Sequence, residues 1–282
     1  SGQFMTHVIV LPSEIIRQAS GNLRGLLSLT ETMMPTFAEA NISLQPLSFT
    51  GVEPLGAPQQ TRAMLALMTA ARNRIQTIEI LLAAVITSTP VLIFGAPTDL
   101  ERRLMMVEGL LALMPAPARL GVTFATHAAP QRRPDTLISF MPESEAPPGI
   151  LVYRWGDANV TGEPVENDYA HFITSQLRLD TELVLKQTEM LTPVAGWRIR
   201  LGDSLSNALQ YAAQRLKTDN AVLASQPVEL EAAAKILADD PTLSGEARLA
   251  YTSHLLALAL PLRETGHLRQ IGRVARGNGE ME

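Results

Sequence analysis

His127 heads the stretch HAAPQRRPD, with Arg132, Arg133 and Asp135 close behind it. It ends a predicted strand, and the strand ends of open sheets are where ligands collect, so these four residues are the expected ligand-binding or partner-contact set. A surface loop with solvated arginines is the competing account. A second histidine, His171, lies one helical turn after Asp168, with Glu166 and Asp157 nearby in sequence, the donor types of a carboxylate-histidine metal site. Asp168 has an equally good use as an acidic first-turn residue, and no second histidine stands at ligand spacing, so no metal is expected.

The stretch IFGAPTDLERR, 93–103, puts a glycine turn between a strand and a helix start, where backbone amides hold phosphates in other proteins. It has neither dinucleotide-fingerprint spacing nor a P-loop lysine, and Asp99 brings negative charge to the same spot. Capping is the simpler use. Ser1 has the chemistry of an N-terminal nucleophile, although a chain that begins inside a longer reading frame starts the same way. There is no cysteine and no GxSxG elbow. No catalytic residue and no cofactor are therefore expected. Arg263, Arg269, Arg273 and Arg276 form a basic C-terminal strip on an acidic chain, the expected partner-binding set, with solvation of a frayed tail as the alternative.

The 282 residues are 46% hydrophobic and 18% charged, enough for two or more cores and far from the composition of disordered chains. A net charge of -5 gives no general reason to bind nucleic acid, whose affinity rests on Lys and Arg neutralising phosphates. The absence of cysteine fits a cytoplasmic protein. The greasiest segment, 78–95, has an unbroken apolar run only from Ile80 to Ile86, short of the roughly 20 residues a bilayer crossing takes. No membrane partner is expected.

These residues need elements to hold them. Met5 to Leu11 reads as a strand closed by Pro12, Ser13 opens a short helix, and Asn22 to Leu29 a second. Prolines 35, 46, 54 and 58 make 35–60 a connector. Met64, Met68, Ala71, Ile75, Ile78, Leu82 and Val85 are spaced 4,3,4,3,4,3, which predicts one long amphipathic helix packed on its own sheet. Pro90 then introduces VLIFG, a strand buried on both faces. Thr98 and Glu101 read as a capping box for a helix that MPAP at 114–117 stops, and 120–127 as the next strand, in a parallel right-handed unit. Further strands are expected at Thr136 to Met141 and Ile150 to Trp155. Helical windows follow at 168–190, 204–217, 227–239 and 244–260. The fold class is α/β: a small, mostly parallel sheet of four or five strands with packed helices, then an all-helical domain.

SGQFMTHVIVLP at the start, and PVLIFGAP with LERRLMMVEGLLALMPAPARLGVTFATH further on, resemble the end of the N-terminal region and the middle region of bacterial GTPase-associated proteins of the first type. The resemblance covers residues 1–127. It implies that Ser1 is internal to a longer protein. Residues 1–50 are then the C-terminal part of a truncated N-terminal domain and 58–157 an α/β middle domain, while 165–276, which the resemblance leaves unmatched, reads from its helical windows as a helical domain. The resemblance also implies an association role in multi-component bacterial systems, conflict or defence systems among them, built around small GTPases. It carries over no catalytic residues. The expected function is a non-catalytic adaptor or scaffold that binds a protein partner, a small GTPase or a component of its system. The alternative is an enzyme or nucleotide-sensing module whose site an upstream segment completes.

Overall fold

A computed structural model of the chain describes residues 10–32, 51–128, 136–143 and 150–262, with Gly266, Arg269 and Gly272 beyond them. Contacts divide it into two compact units, Ser1–Thr192 and Pro193–Glu282.

The first unit opens with α1 (Ser13–Ala19), which stops where Ser20 and Gly21 turn left-handed, at φ 50° and 88°. Helix α2 (Leu23–Thr32) follows, its first turn capped by Asn22 Oδ1, which accepts from the Gly25 N–H at 2.8 Å. Residues 5–9 of the expected opening strand lie outside the described residues, and Val10 and Leu11 are in no strand. Of the expected connector, 35–50 also lies outside them. Its end is already helical, because Pro58 suits the first turn of α3 (Ala57–Ala70).

The single long helix expected over 64–85 is two helices, α3 and α4 (Ile75–Ile86). Between them Arg72 and Asn73 adopt φ of 51° and 58°, and the Asn73 N–H donates to Met68 O at 2.7 Å, closing a tight turn. Tertiary bonds hold that turn: Tyr153 Oη donates to Ala70 O at 2.6 Å, and the Arg72 guanidinium donates to Gly156 O.

Strand β1 (Val91–Phe94) is buried along its whole length. Helix α5 (Leu100–Ala112) is capped by Asp99, not by Thr98: Asp99 Oδ1 accepts from the Glu101 N–H at 3.0 Å. The expected strand at 120–127 shrinks to β2 (Phe124–Ala125), because Ala116–Gly121 winds into a 3-10 helix after Pro115. Strands β3 (Ile138–Met141), β4 (Leu151–Arg154) and β5 (Asn159–Thr161) complete a sheet of order β2-β3-β1-β4-β5. The first four are parallel and β5 runs antiparallel to β4. The strand-helix-strand unit is parallel, but β2 lies beyond β3 instead of beside β1.

Helices α3 and α5 pack closely because α5 carries Gly109, where a Cβ would stand 2.6 Å from Ala63 O. Beside it, Glu108 is fully buried and reaches α2. Arg119, also buried, donates to Met114 O, Ser20 O and Gln60 Oε1 at 2.8–2.9 Å, tying the 3-10 helix to α1 and α3; burial lowers its pKa to about 10.

The helical window expected at 168–190 is two helices, α6 (Asp168–Leu177) and α7 (Thr181–Arg200). Helices α1 and α2 pack on the 3-10 helix and α5, and α6 packs on α4, so all three share the unit of the sheet. Tyr169 on α6 is wholly buried and donates to Leu113 O at 2.7 Å. The unit boundary falls inside α7, at Pro193.

The second unit is helical: the end of α7, α8 (Leu205–Leu223), α9 (Leu230–Asp239) and α10 (Gly245–Leu262). Its core gathers Val222, Ala233, Leu237, Leu243, Tyr251 and Leu255. The observed architecture is thus a five-stranded, mostly parallel sheet with packed helices, followed by a helical region.

Candidate functional site

The histidine and arginines singled out from sequence do not assemble into one described site. His127 is exposed just past the end of β2, at one margin of the sheet. Arg132, Arg133 and Asp135 lie outside the described residues. In the C-terminal strip, Arg269 is helical and exposed, and Arg263, Arg273 and Arg276 lie outside them. His171 faces Glu79 on α4 rather than a carboxylate cluster, its Nδ1 3.1 Å from Glu79 Oε1, and Thr174 Oγ1 donates to Glu79 Oε2 at 3.3 Å. Among the described residues no group of three or more His, Asp or Glu stands where it would hold a metal ion, and no helix is long and apolar enough to cross a membrane.

The sheet topology marks a second place, at the carboxyl ends of β1 and β4. The connection leaving β1 runs through α5 towards β2, and the one leaving β4 runs the other way to β5, so the direction of travel reverses between β1 and β4. In open sheets the crevice at the carboxyl ends of two such strands is where small molecules bind. At those ends here stand Gly95, at φ 66° with open space where a Cβ would be, and Arg154. The Arg154 guanidinium lies 5.9 Å from the Phe94 ring centre and its Nε 3.3 Å from Glu143 Oε1. On the α5 side, Arg103 donates to Pro97 O at 2.6 Å and Thr126 O at 2.5 Å, fastening the loops after β1 and β2 to each other.

A second constellation lies wholly within the helical unit, at the corner between α7 and α8. Gly202, left-handed at φ 91°, ends α7, and the Asp203 N–H returns to Arg198 O at 3.2 Å. That turn brings the Asp203 carboxylate back onto the Arg198 side chain, with Nε at 2.6 Å and Nη2 at 2.5 Å from Oδ2. The guanidinium so fixed stands 4.6 Å from the Tyr211 ring centre and 5.3 Å from that of Trp197. The two rings meet edge to face, 5.9 Å apart. Burial is the first cause that raises the Tyr211 pKa, keeping the phenol neutral. Both rings remain half-buried, and Leu201, one turn beyond Trp197, is 61% exposed.

Sequence reasoning missed this corner. Trp197 and Arg198 are adjacent in the chain, but Tyr211 joins them only through the turn at Gly202, and no short motif signals that. No protein-family model, no curated protein and no solved structure matches this chain.

Proposed function

We propose that this chain is a non-catalytic adaptor or scaffold of a bacterial GTPase-associated system, conflict or defence systems among them, working in the cytoplasm. Its partner on this reading is a protein, a small GTPase or a component of its system, and the α7–α8 corner is the docking surface. The observation that carries the reading is Arg198, held between Trp197 and Tyr211 and anchored by Asp203, beside exposed Leu201. Trp, Tyr and Arg are the side chains that dominate protein–protein binding energy, and here they are pre-ordered, so a partner pays little entropy to fix them.

The alternative, an enzyme or nucleotide-sensing module completed by an upstream segment, draws its support from the carboxyl ends of β1 and β4, with Gly95 and Arg154. Calorimetric titration of the protein with its host's small GTPases, and separately with GTP, GDP and ATP, distinguishes the two. The adaptor reading expects binding to a protein, weakened by Trp197→Ala. Binding or hydrolysis of a free nucleotide, lost in Arg154→Ala, overturns it in favour of the alternative.

A further inference from the structure

We propose that Arg215 is a two-position arginine: a proton on Asp219 releases it from its own helix and hands it to Asp240 at the end of α9. Arg215 is 5% exposed and Asp240 0%. In the structure the guanidinium is held within α8, where Nη1 donates to Asp219 Oδ2 at 2.7 Å, one turn on. Its Nε stands 3.6 Å from Asp240 Oδ2, too far for a hydrogen bond, and neither atom has a hydrogen-bond partner among the described residues. Buried polar atoms left in this way are rare, and two of opposite charge that face each other mark an unmade bond.

The other bonds in the cluster decide where a proton goes. Asp219 Oδ1 accepts from Tyr251 Oη of α10 at 2.7 Å, so the proton goes to Oδ2, the oxygen that faces Arg215. Two donors then oppose each other, and the guanidinium loses that bond. Asp240 offers the open acceptor. Its Oδ1 is taken by the Thr242 N–H and hydroxyl at 2.8 and 2.6 Å and its carbonyl by Arg248 Nη2 of α10 at 2.8 Å, which leaves Oδ2. A bond inside α8 thereby becomes a tie between α8 and α9, two discrete arrangements of one side chain. Asp219 is faced by Arg215, Asp240 and Tyr251, and around Asp240 stand Arg215 and Tyr211 of α8 and Arg248 of α10. Burial is the first cause that raises the Asp219 pKa, against the lowering by Tyr251 and Arg215. With the folded value above the ordinary one, the fold favours the protonated form, and that preference is lost as pH rises through the folded value. The tie between helices is therefore the acid form. None of this depends on what the α7–α8 corner binds.

Proton–nitrogen NMR correlation spectra of the arginine Nε–H groups, followed from about pH 4 to 8 beside the side-chain carboxyl carbon of Asp219, test it. Loss of one cross-peak in Arg215→Lys assigns the Arg215 Nε–H. As Asp219 takes up its proton, the Arg215 Nε–H proton is expected to move downfield, as a newly bonded N–H does, with the same midpoint as the carboxyl carbon. Asp219→Asn, which does not ionise, abolishes the pH dependence of that resonance. Asp240→Asn, whose amide nitrogen replaces the open acceptor, removes the movement while Asp219 still titrates. The titration of the parent protein decides on its own if the Asp240 variant does not fold. An Arg215 Nε–H that stays in place while Asp219 titrates overturns the proposal. So does an Asp219 carboxyl with no step above the ordinary carboxylate range, or a resonance that moves as far in Asp219→Asn as in the parent.

Discussion

Glu108, wholly buried on α5, holds the first turn of α2: its Oε1 accepts from the N–H groups of Leu23 and Arg24 at 3.0 and 3.2 Å, and its Oε2 from Arg24 Nε at 3.0 Å. The carboxylate does for α2 what an N-cap side chain does, from another helix. Burial is the first cause acting on its pKa and raises it above the ordinary carboxylate range, against the lowering by Arg24 and the two amides. A folded-state pKa raised above the unfolded value means that this group's contribution is full at acid pH and is lost as pH rises through the folded value. Glu108→Gln, which does not ionise, should therefore have a flatter stability–pH profile than the parent just above the ordinary carboxylate range. Glu108→Ala leaves three donors without their acceptor and should cost about 3–5 kcal/mol. Denaturant melts at stepped pH values check both.

Gly109 supplies a case in which helix propensity and packing oppose each other. Alanine in mid-helix is favoured over glycine by about 1 kcal/mol. At this position, however, the added Cβ would stand 2.6 Å from Ala63 O and 2.7 Å from Leu67 Cβ, backbone and stem atoms of α3 that cannot swing aside. Forcing the helices apart costs about 1–3 kcal/mol, so Gly109→Ala should lower the midpoint of thermal unfolding. A rise in the midpoint by calorimetry would show that the α3–α5 contact is looser than this geometry.

The apolar row from Met64 to Val85 tests how far periodicity reaches. Leu82 is 0% exposed on α4 and Arg74 is exposed at its start. Leu82→Ala should cost about 2–5 kcal/mol through lost burial and a cavity. Arg74→Ala should stay within about 0.5 kcal/mol. Chemical denaturation of the two variants gives the comparison directly.

That row also shows why part of the fold was legible and part was not. VLIFG could be read as a buried strand because its burial on both faces needs a continuous apolar run, and β1 is the central strand. The break between α3 and α4 was hidden because the 4,3 spacing continues in phase across it, and neither glycine nor proline marks it. Asn73 tolerates a left-handed φ, but Arg72 shares it in a turn held by tertiary bonds from Arg72 to Gly156 O and from Tyr153 to Ala70 O, residues more than 80 positions away. Glu108 stood inside LMMVEGLLALM as a charge among apolar residues, a visible anomaly whose partner, the first turn of α2, is likewise remote. The cluster of Trp197, Arg198 and Tyr211 has the same character: contacts made by turns escape a reading based on spacing.

The last expectation concerns that cluster. The chain has two tryptophans, Trp155 and Trp197. A Trp155→Phe background therefore leaves Trp197 as the only indole, reporting from the α7–α8 corner. If the corner docks a partner, adding the partner should shift and intensify Trp197 emission as water leaves the ring. Arg198→Ala should weaken binding about 30-fold or more, as loss of an interface hot spot does. Its effect on stability should be smaller, about 2 kcal/mol at most, because the Arg198–Asp203 pair is partly solvated and its ring contacts are modest. Asp203→Asn separates anchoring from contact: it frees the guanidinium from its carboxylate yet keeps the charge, so affinity should fall less than in Arg198→Ala and the fall should grow with salt. An unchanged emission spectrum in a complex that demonstrably forms would place the partner elsewhere on the molecule, and equal affinity of the Arg198→Ala protein would remove the cluster from its binding energy.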